Sequence, residues 1–332
     1  MDFTGRADEL ASLHAWRHGG PRLGVRWLYG PGGQGKSRLA GRLARDAEAD
    51  GWQVITAAYG AGSVIASGAE DLRLDRTAGL LLIVDYADRW PLSHLALLLD
   101  NSLLFHVAVS TRVLLLGRSA DPWPAIRQSL KAHQAGGSVQ PLLPIPHGSP
   151  DRAEMFDAAR RGFARRYGLS ASDQLPVPAA IDRVEFGLPL TLHMFALVSV
   201  DAAVSGRRVP ETMSDLTVYL LDRESRHWAV LYEEQPTGSA GRAYRTEPET
   251  MRRVVFTAAL TGSVPQTVGA SVLSGFAASG DVPQLLQAHR WCYPPVAADG
   301  DMVLTPLYPD RLAEDFIALT TPGHDIVYPA YT

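Results

Sequence analysis

Gly30-Pro31-Gly32-Gly33-Gln34-Gly35-Lys36-Ser37 is a complete G-x-x-x-x-G-K-[ST] run. In that spacing the glycines let successive backbone N–H groups turn inward around a β-phosphate, the lysine supplies a mobile cation, and the serine a hydroxyl for Mg²⁺. The flanks are those the run requires. Val25-Arg26-Trp27-Leu28-Tyr29 reads as a strand, and Ser37 to Asp50 as a helix with Leu39, Ala40, Leu43, Ala44 and Ala47 at helical spacing and Gly51 placed to stop it. A helix N-terminus then meets the phosphates, where unpaired N–H groups and the macrodipole favour negative charge. The stretch reads as an ATP or GTP site, and its strand-loop-helix setting calls for an α/β sheet.

Downstream, Leu80-Leu81-Leu82-Ile83-Val84 is a run of five large apolar residues followed by Asp85. Such a run marks a parallel strand buried on both faces, and an acid at its C-terminal end stands where these sheets place ligands, so Asp85 reads as a Walker B carboxylate. Val113-Leu114-Leu115-Leu116-Gly117 repeats the pattern and ends at Arg118, a cation placed to reach the γ-phosphate side or an exposed loop arginine. Trp52 to Ala58 reads as a further strand, Tyr59 to Gly68 as a small-residue loop, and Leu92 to Phe105 as one leucine-rich helix. Ahead of the loop, Leu10, Leu13 and Trp16 share a helical face, with Thr4 as a candidate cap. Alternation of strand and helix to about residue 125 predicts a doubly wound sheet, with a short last strand near the proline-rich exit Pro141 to Pro150.

The rest reads as mainly helical. Asp151 to Gly168 is one helix, a second begins at Gly187-Leu188-Pro189-Leu190, and Thr191 to Val204 is apolar nearly all round and therefore buried. Helices follow around Leu216 to Tyr232 and Pro248 to Thr261. The turn Asp299-Gly300-Asp301, the run Met302-Val303-Leu304 and a helix after Leu307-Tyr308-Pro309-Asp310 suggest a winged helix, and 320–332 reads as a tail or truncated linker.

Composition narrows the class. With 332 residues, 46% hydrophobic and 20% charged, the chain is globular and large enough for two or three packed units. A formal net charge of −4 gives no global basic face, so nucleic acid is not the expected partner. The lone Cys292 excludes an internal disulfide and a cysteine-based zinc site and fits a reducing compartment. The N-terminus lacks signal-peptide order, the apolar runs are too short to span a bilayer, and the ten histidines form no ligand-spaced pair, so the expected location is the cytoplasm, without a membrane.

In order, Gly5-Arg6 with Glu9-Leu10, the loop, Asp85 with Asp88, Arg118, Gly187-Leu188-Pro189-Leu190 and Leu307-Tyr308-Pro309-Asp310 resemble the STAND class of P-loop ATPases, the NB-ARC and NACHT proteins, in an actinobacterial style. The resemblance implies a P-loop NTPase parallel sheet with helices on both faces (1–148), a helical lid (149–208) and a winged-helix-like domain (209–319). It also implies site residues. Arg6 closes over the adenine side; Gly30, Pro31, Gly32, Gly33, Gln34, Gly35, Lys36, Ser37 and Arg38 cradle ATP or ADP; Ser37 and Asp85 hold Mg²⁺; Arg118 is the sensor; and Pro189 touches base or ribose. Two positions depart from the pattern. Tyr308 stands where relatives place a histidine on the ADP β-phosphate, and Tyr86 stands where many carry a second acid. Asp88 is then the catalytic acid, or else a helix N-cap or a loop acid.

The implied function is a signal switch closed by ADP, opened by ATP for assembly with protein partners or further copies, with slow Mg²⁺-dependent hydrolysis. No effector domain is expected ahead of residue 3, so output would pass through partners or a further C-terminal part. Two other readings are a DNA-associated P-loop ATPase with a winged helix, for which only Arg252-Arg253 speaks, and a nucleotide-stabilised scaffold without turnover.

Overall fold

The computed structural model describes residues 3–57, 77–105, 109–169, 177–236, 243–276, 281–295 and 301–329. The chain divides into two compact units, Met1–Val200 and Asp201–Thr332. The expected loop from Tyr59 to Gly68 and the turn residues Asp299 and Gly300 lie outside the described residues.

In the first unit α1 (Ala7–His18) precedes β1 (Leu23–Tyr29), α2 (Lys36–Ala49), β2 (Trp52–Ala57), β3 (Gly79–Val84), α3 (Leu92–Leu99), β4 (Thr111–Gly117), α4 (Trp123–Ala132), β5 (Gly136–Pro141), α5 (Pro150–Arg166) and α6 (Pro189–Val204). The five strands form one parallel sheet in the order β2-β3-β4-β1-β5. Every residue of β3 and β4 is buried, which is why both sequences are apolar without alternation. Their side chains nonetheless alternate between two cores. Val25, Trp27, Leu80, Leu82, Val113 and Leu115 face Leu95 and Leu99 of α3 and Ile126 and Leu130 of α4. Leu28, Leu81, Ile83, Leu114 and Leu116 face Leu13 of α1 and Leu39, Leu43 and Ala47 of α2. The α/β P-loop architecture, with helices on both faces, is thus present.

Three local expectations are corrected. Thr4 does not cap α1; Arg6 holds the cap position in a left-handed conformation, φ 61°, and makes no side-chain cap bond. The helix expected over Leu92 to Phe105 stops at Leu99, because Asn101 Oδ1 accepts from Leu103 N and starts a separate 3₁₀ turn over Ser102–Phe105. The last strand ends at Pro141 instead of beginning there: Gly136 lies against Pro21 and Gly137 against Trp123, and the prolines that follow lack ladder donors.

The second unit contains α7 (Met213–Glu234), α8 (Pro248–Thr261), β6 (Val264–Pro265), α9 (Gln266–Phe276), α10 (Val282–Cys292), β7 (Met302–Val303) and α11 (Asp310–Thr320). Thr212 caps α7 by accepting from Asp215 N at 3.2 Å. Leu216, Trp228, Met251, Val255, Leu285 and Phe316 are among its buried side chains. Met302–Val303 pairs antiparallel with Val264–Pro265, across two intervening helices, so among the described residues it does not close a local hairpin. No helix among the described residues is long and apolar enough to cross a membrane.

Candidate nucleotide site

The strand order sets the geometry. β4 lies between β1, which leads into the phosphate loop, and β3, which ends at Asp85. Tyr29 is level with Gly117, and Val84 with Leu115, so the loop, Asp85 and Arg118 emerge along one edge of the sheet. Gly30 N donates to Gly117 O at 3.2 Å and Leu142 N to Tyr29 O at 2.7 Å, which anchors the loop's first residue between its neighbours. Gly33 and Gly35 have φ of 81° and 84°, and Gly35 is the cap residue of α2. These are conformations that glycine adopts without strain. At Gly33 space is also restricted: a Cβ there would stand 2.9 Å from Leu190 Cβ.

Lys36 Nζ donates to the carbonyls of Gly30 at 2.6 Å and Pro31 at 2.9 Å. Burial pulls its amine below the ordinary lysine range; Asp85 and Asp88 oppose that fall and Arg118 adds to it. Ser37 Oγ donates to Asp85 Oδ2 at 2.8 Å. Asp85 Oδ1 accepts from Tyr86 N at 2.9 Å, in a turn where Tyr86 is itself left-handed at φ 51°. Hydroxyl and carboxylate thus form a pair of hard oxygen donors beside the loop, the chemistry that suits Mg²⁺. Among the described residues no group of three or more His, Cys, Asp or Glu is placed to hold a metal.

Asp88 lies in the 3₁₀ turn Ala87–Arg89 and does not cap a helix. Its Oδ2 accepts from Arg118 N at 3.0 Å, which ties the ends of β3 and β4 together, while Oδ1 is buried without a partner. The Arg118 side chain runs beside the loop: a Cβ on Gly32 would be 3.7 Å from its Nη2.

The first turn of α6 closes on the loop from the other side. Leu190 N donates to Gly33 O at 3.1 Å, and the Pro189 ring would lie 3.7 Å from a Cβ on Gly35. Arg38 is directed to α6: its Nη1 donates to His193 Nε2 at 3.3 Å, and His193 Nδ1 donates to Pro189 O at 2.7 Å. The Arg38 contact requires Nε2 to be unprotonated, and burial first, then Arg38, pull His193 below its ordinary range, while the bond to Pro189 O opposes that fall. Arg6 and Gln34 meet below the loop, where Arg6 Nη2 donates to Gln34 Oε1 at 2.8 Å. The first unit therefore brings together every site residue predicted within it. Tyr308 belongs to the second unit and is 88% exposed. The reading of the sequence missed His193, for which a histidine inside the apolar run Thr191 to Val204 was the available signal, and named Leu190 only as part of the motif Gly187-Leu188-Pro189-Leu190.

No family model and no curated protein matches the chain. Among solved structures it is similar to the Aeropyrum pernix ORC2 protein in ADPNP-ADP complexes, at 13% identity over 96% of this chain and 95% of that one, with a TM-score of 0.42. The ORC1 protein of the same organism in complex with DNA matches at 13% identity over 96% and 93%, with a TM-score of 0.41. A Thermotoga maritima RuvB variant matches at 17% identity over 86% and 89%, with a TM-score of 0.39. The expectation that nucleic acid is not the partner has no support among these likenesses, one of which is a complex with DNA. Its own sheet order, its phosphate loop and the Ser37–Asp85 pair identify a P-loop NTPase fold.

Proposed function

We propose that the chain is an ATP- and ADP-binding signal-transduction switch of the STAND class that hydrolyses ATP slowly with Mg²⁺. The observation that carries the reading is the Ser37–Asp85 bond of 2.8 Å at the mouth of a loop flanked by Lys36 and Arg118. Lys36 takes the β- and γ-phosphates, Arg118 the γ-phosphate side, and Ser37 and Asp85 hold Mg²⁺, which when bound neutralises charge on the transferring phosphoryl group. Asp88 aligns the attacking water once its Oδ1, buried in this structure, is opened to water, since Oδ2 is committed to Arg118 N. The need for that rearrangement suits slow turnover.

Pro189, in the lid of residues 149–208, touches base or ribose. Contacts to the γ-phosphate at Lys36 and Arg118 give ATP and ADP different affinities for two states, which any nucleotide switch requires. Exchange then opens the molecule for self-assembly or for protein partners in the cytoplasm.

Phosphate release and light scattering test this directly. Asp85→Asn should keep ATP affinity within about threefold while turnover in Mg²⁺ falls about tenfold or more, because the lost charge holds the metal and not the base. Full turnover would remove Asp85 from the metal site. An oligomeric state identical in ATP and ADP would end the switch reading, and tight, salt-dependent binding to duplex DNA would favour the DNA-associated one.

A further inference from the structure

We infer that Arg6 is a positioning residue that fixes the phosphate loop through Gln34, and that its guanidinium does not contact the nucleotide; this rests on the nucleotide-site reading above. Gly5 and Arg6 are consecutive left-handed residues, φ 69° and 61°. For arginine that conformation costs free energy and persists only where its surroundings hold it. A side chain at Gly5 would run into Met155, so the segment is pressed against α5. Arg6 is 6% exposed, and a charge so buried needs partners.

Arg6 is tied to α1, to the phosphate loop and to α5. Its Nη1 donates to Glu9 Oε1 at 2.6 Å, its Nη2 to Gln34 Oε1 at 2.8 Å, and its backbone N to Asp151 Oδ2 at 3.2 Å at the start of α5. Of the other buried arginines in this unit, Arg112 donates to the carbonyls of Trp16, Gly19, Pro21, Arg22 and Thr111 and Arg152 to those of Ile145, Ile181 and Arg183, while Arg17 and Arg160 pair with the carboxylates of Asp50 and Asp157, outside the loop. Arg6 instead ends on a side chain of the loop.

Gln34 is fully buried and sits between Gly33 and Gly35, the two residues whose left-handed backbones shape the cradle. Holding its side chain restrains both flexible neighbours from one side, as the Leu190 N bond to Gly33 O does from the other. Arg6 Nε and Gln34 Nε2 are both buried without partners. The pair is therefore sensitive to the loss of either member, because each then leaves further buried polar atoms unpaired.

The test is a double-mutant cycle of Arg6→Met and Gln34→Met, read as affinity for ATP and for inorganic tripolyphosphate, with thermal melting as the check on folding. Each single change should weaken both ligands alike, by about 10- to 100-fold. The double variant should bind no worse than the weaker single one, since removing both partners removes the mismatch. Losses that multiply would overturn the inference. So would an Arg6→Met loss seen with ATP and absent with tripolyphosphate, which would mark a direct contact to the base side. If Arg6→Met does not fold, Arg6→Lys keeps a donor for Gln34: any loss it causes should vanish in the Gln34→Met background, and a loss that persists there overturns the inference as well. Lys36→Ala is run beside them. Unchanged tripolyphosphate and ATP affinity in that variant would fail the nucleotide-site reading itself, independently of Arg6.

Discussion

The two units place their polar side chains to different ends. In the first, the sheet interior is apolar, and Lys36, Ser37, Asp85, Asp88 and Arg118 gather at its C-terminal edge, bonded to each other or to loop backbone. In the second, Tyr293 OH donates to Glu224 Oε2 at 2.7 Å and accepts from Trp228 Nε1 at 2.9 Å, and His289 is buried with Nε2 unpaired. Neither of those groups stands at a sheet edge or beside a glycine cradle. The contrast teaches which polar residues belong to chemistry and which to packing: the first set is separable from stability, and the second is not.

The largest expected effect breaks the comparison if it fails. Lys36→Ala should lower ATP affinity by about a hundredfold or more, because it removes a charge-assisted contact, while the melting temperature changes little. An equally large loss of stability would place Lys36 with the packing residues. The converse belongs to the second unit. Tyr293→Phe strands both Glu224 and Trp228 Nε1 and should cost about 2 kcal/mol in urea unfolding, with ATP affinity retained.

A smaller effect follows from pH. Burial pushes the His289 imidazole down to about 4 from its ordinary 6.5. Its stabilising contribution is complete above pH 6.5 and declines as pH falls toward 4, because the unfolded chain takes up a proton that the folded one refuses. Between pH 7 and pH 5.5 the second unit should lose about 1 kcal/mol, and His289→Phe should flatten that slope.

How far the sequence could be read follows the same division. The loop, β3 and β4 announce themselves because short-range spacing and continuous apolar runs are local signals. β5 did not, since Gly136-Gly137-Ser138 carries no strand signature and is held by β1 on one side only. Helices α9 and α10 were likewise unread: α9 carries Gly269 and Gly275, and α10 is only eleven residues long. Within the site, each chemical group was named from its motif, but the arrangement was not. The Arg6–Gln34 and Arg38–His193 contacts join residues 28 and 155 positions apart, and no periodicity records such a meeting.

The half-buried amine of Lys36 has a practical consequence. Lys36 and Lys131 are the only two lysines in the chain. Lys131 lies in the last turn of α4 and is exposed. Among its lysines an amine-directed reagent therefore has one target in the cradle and one on the surface. Burial favours the uncharged, nucleophilic form of the first, and the second serves as an internal standard, so the ratio of labelling at the two lysines is an assay of whatever occupies the loop.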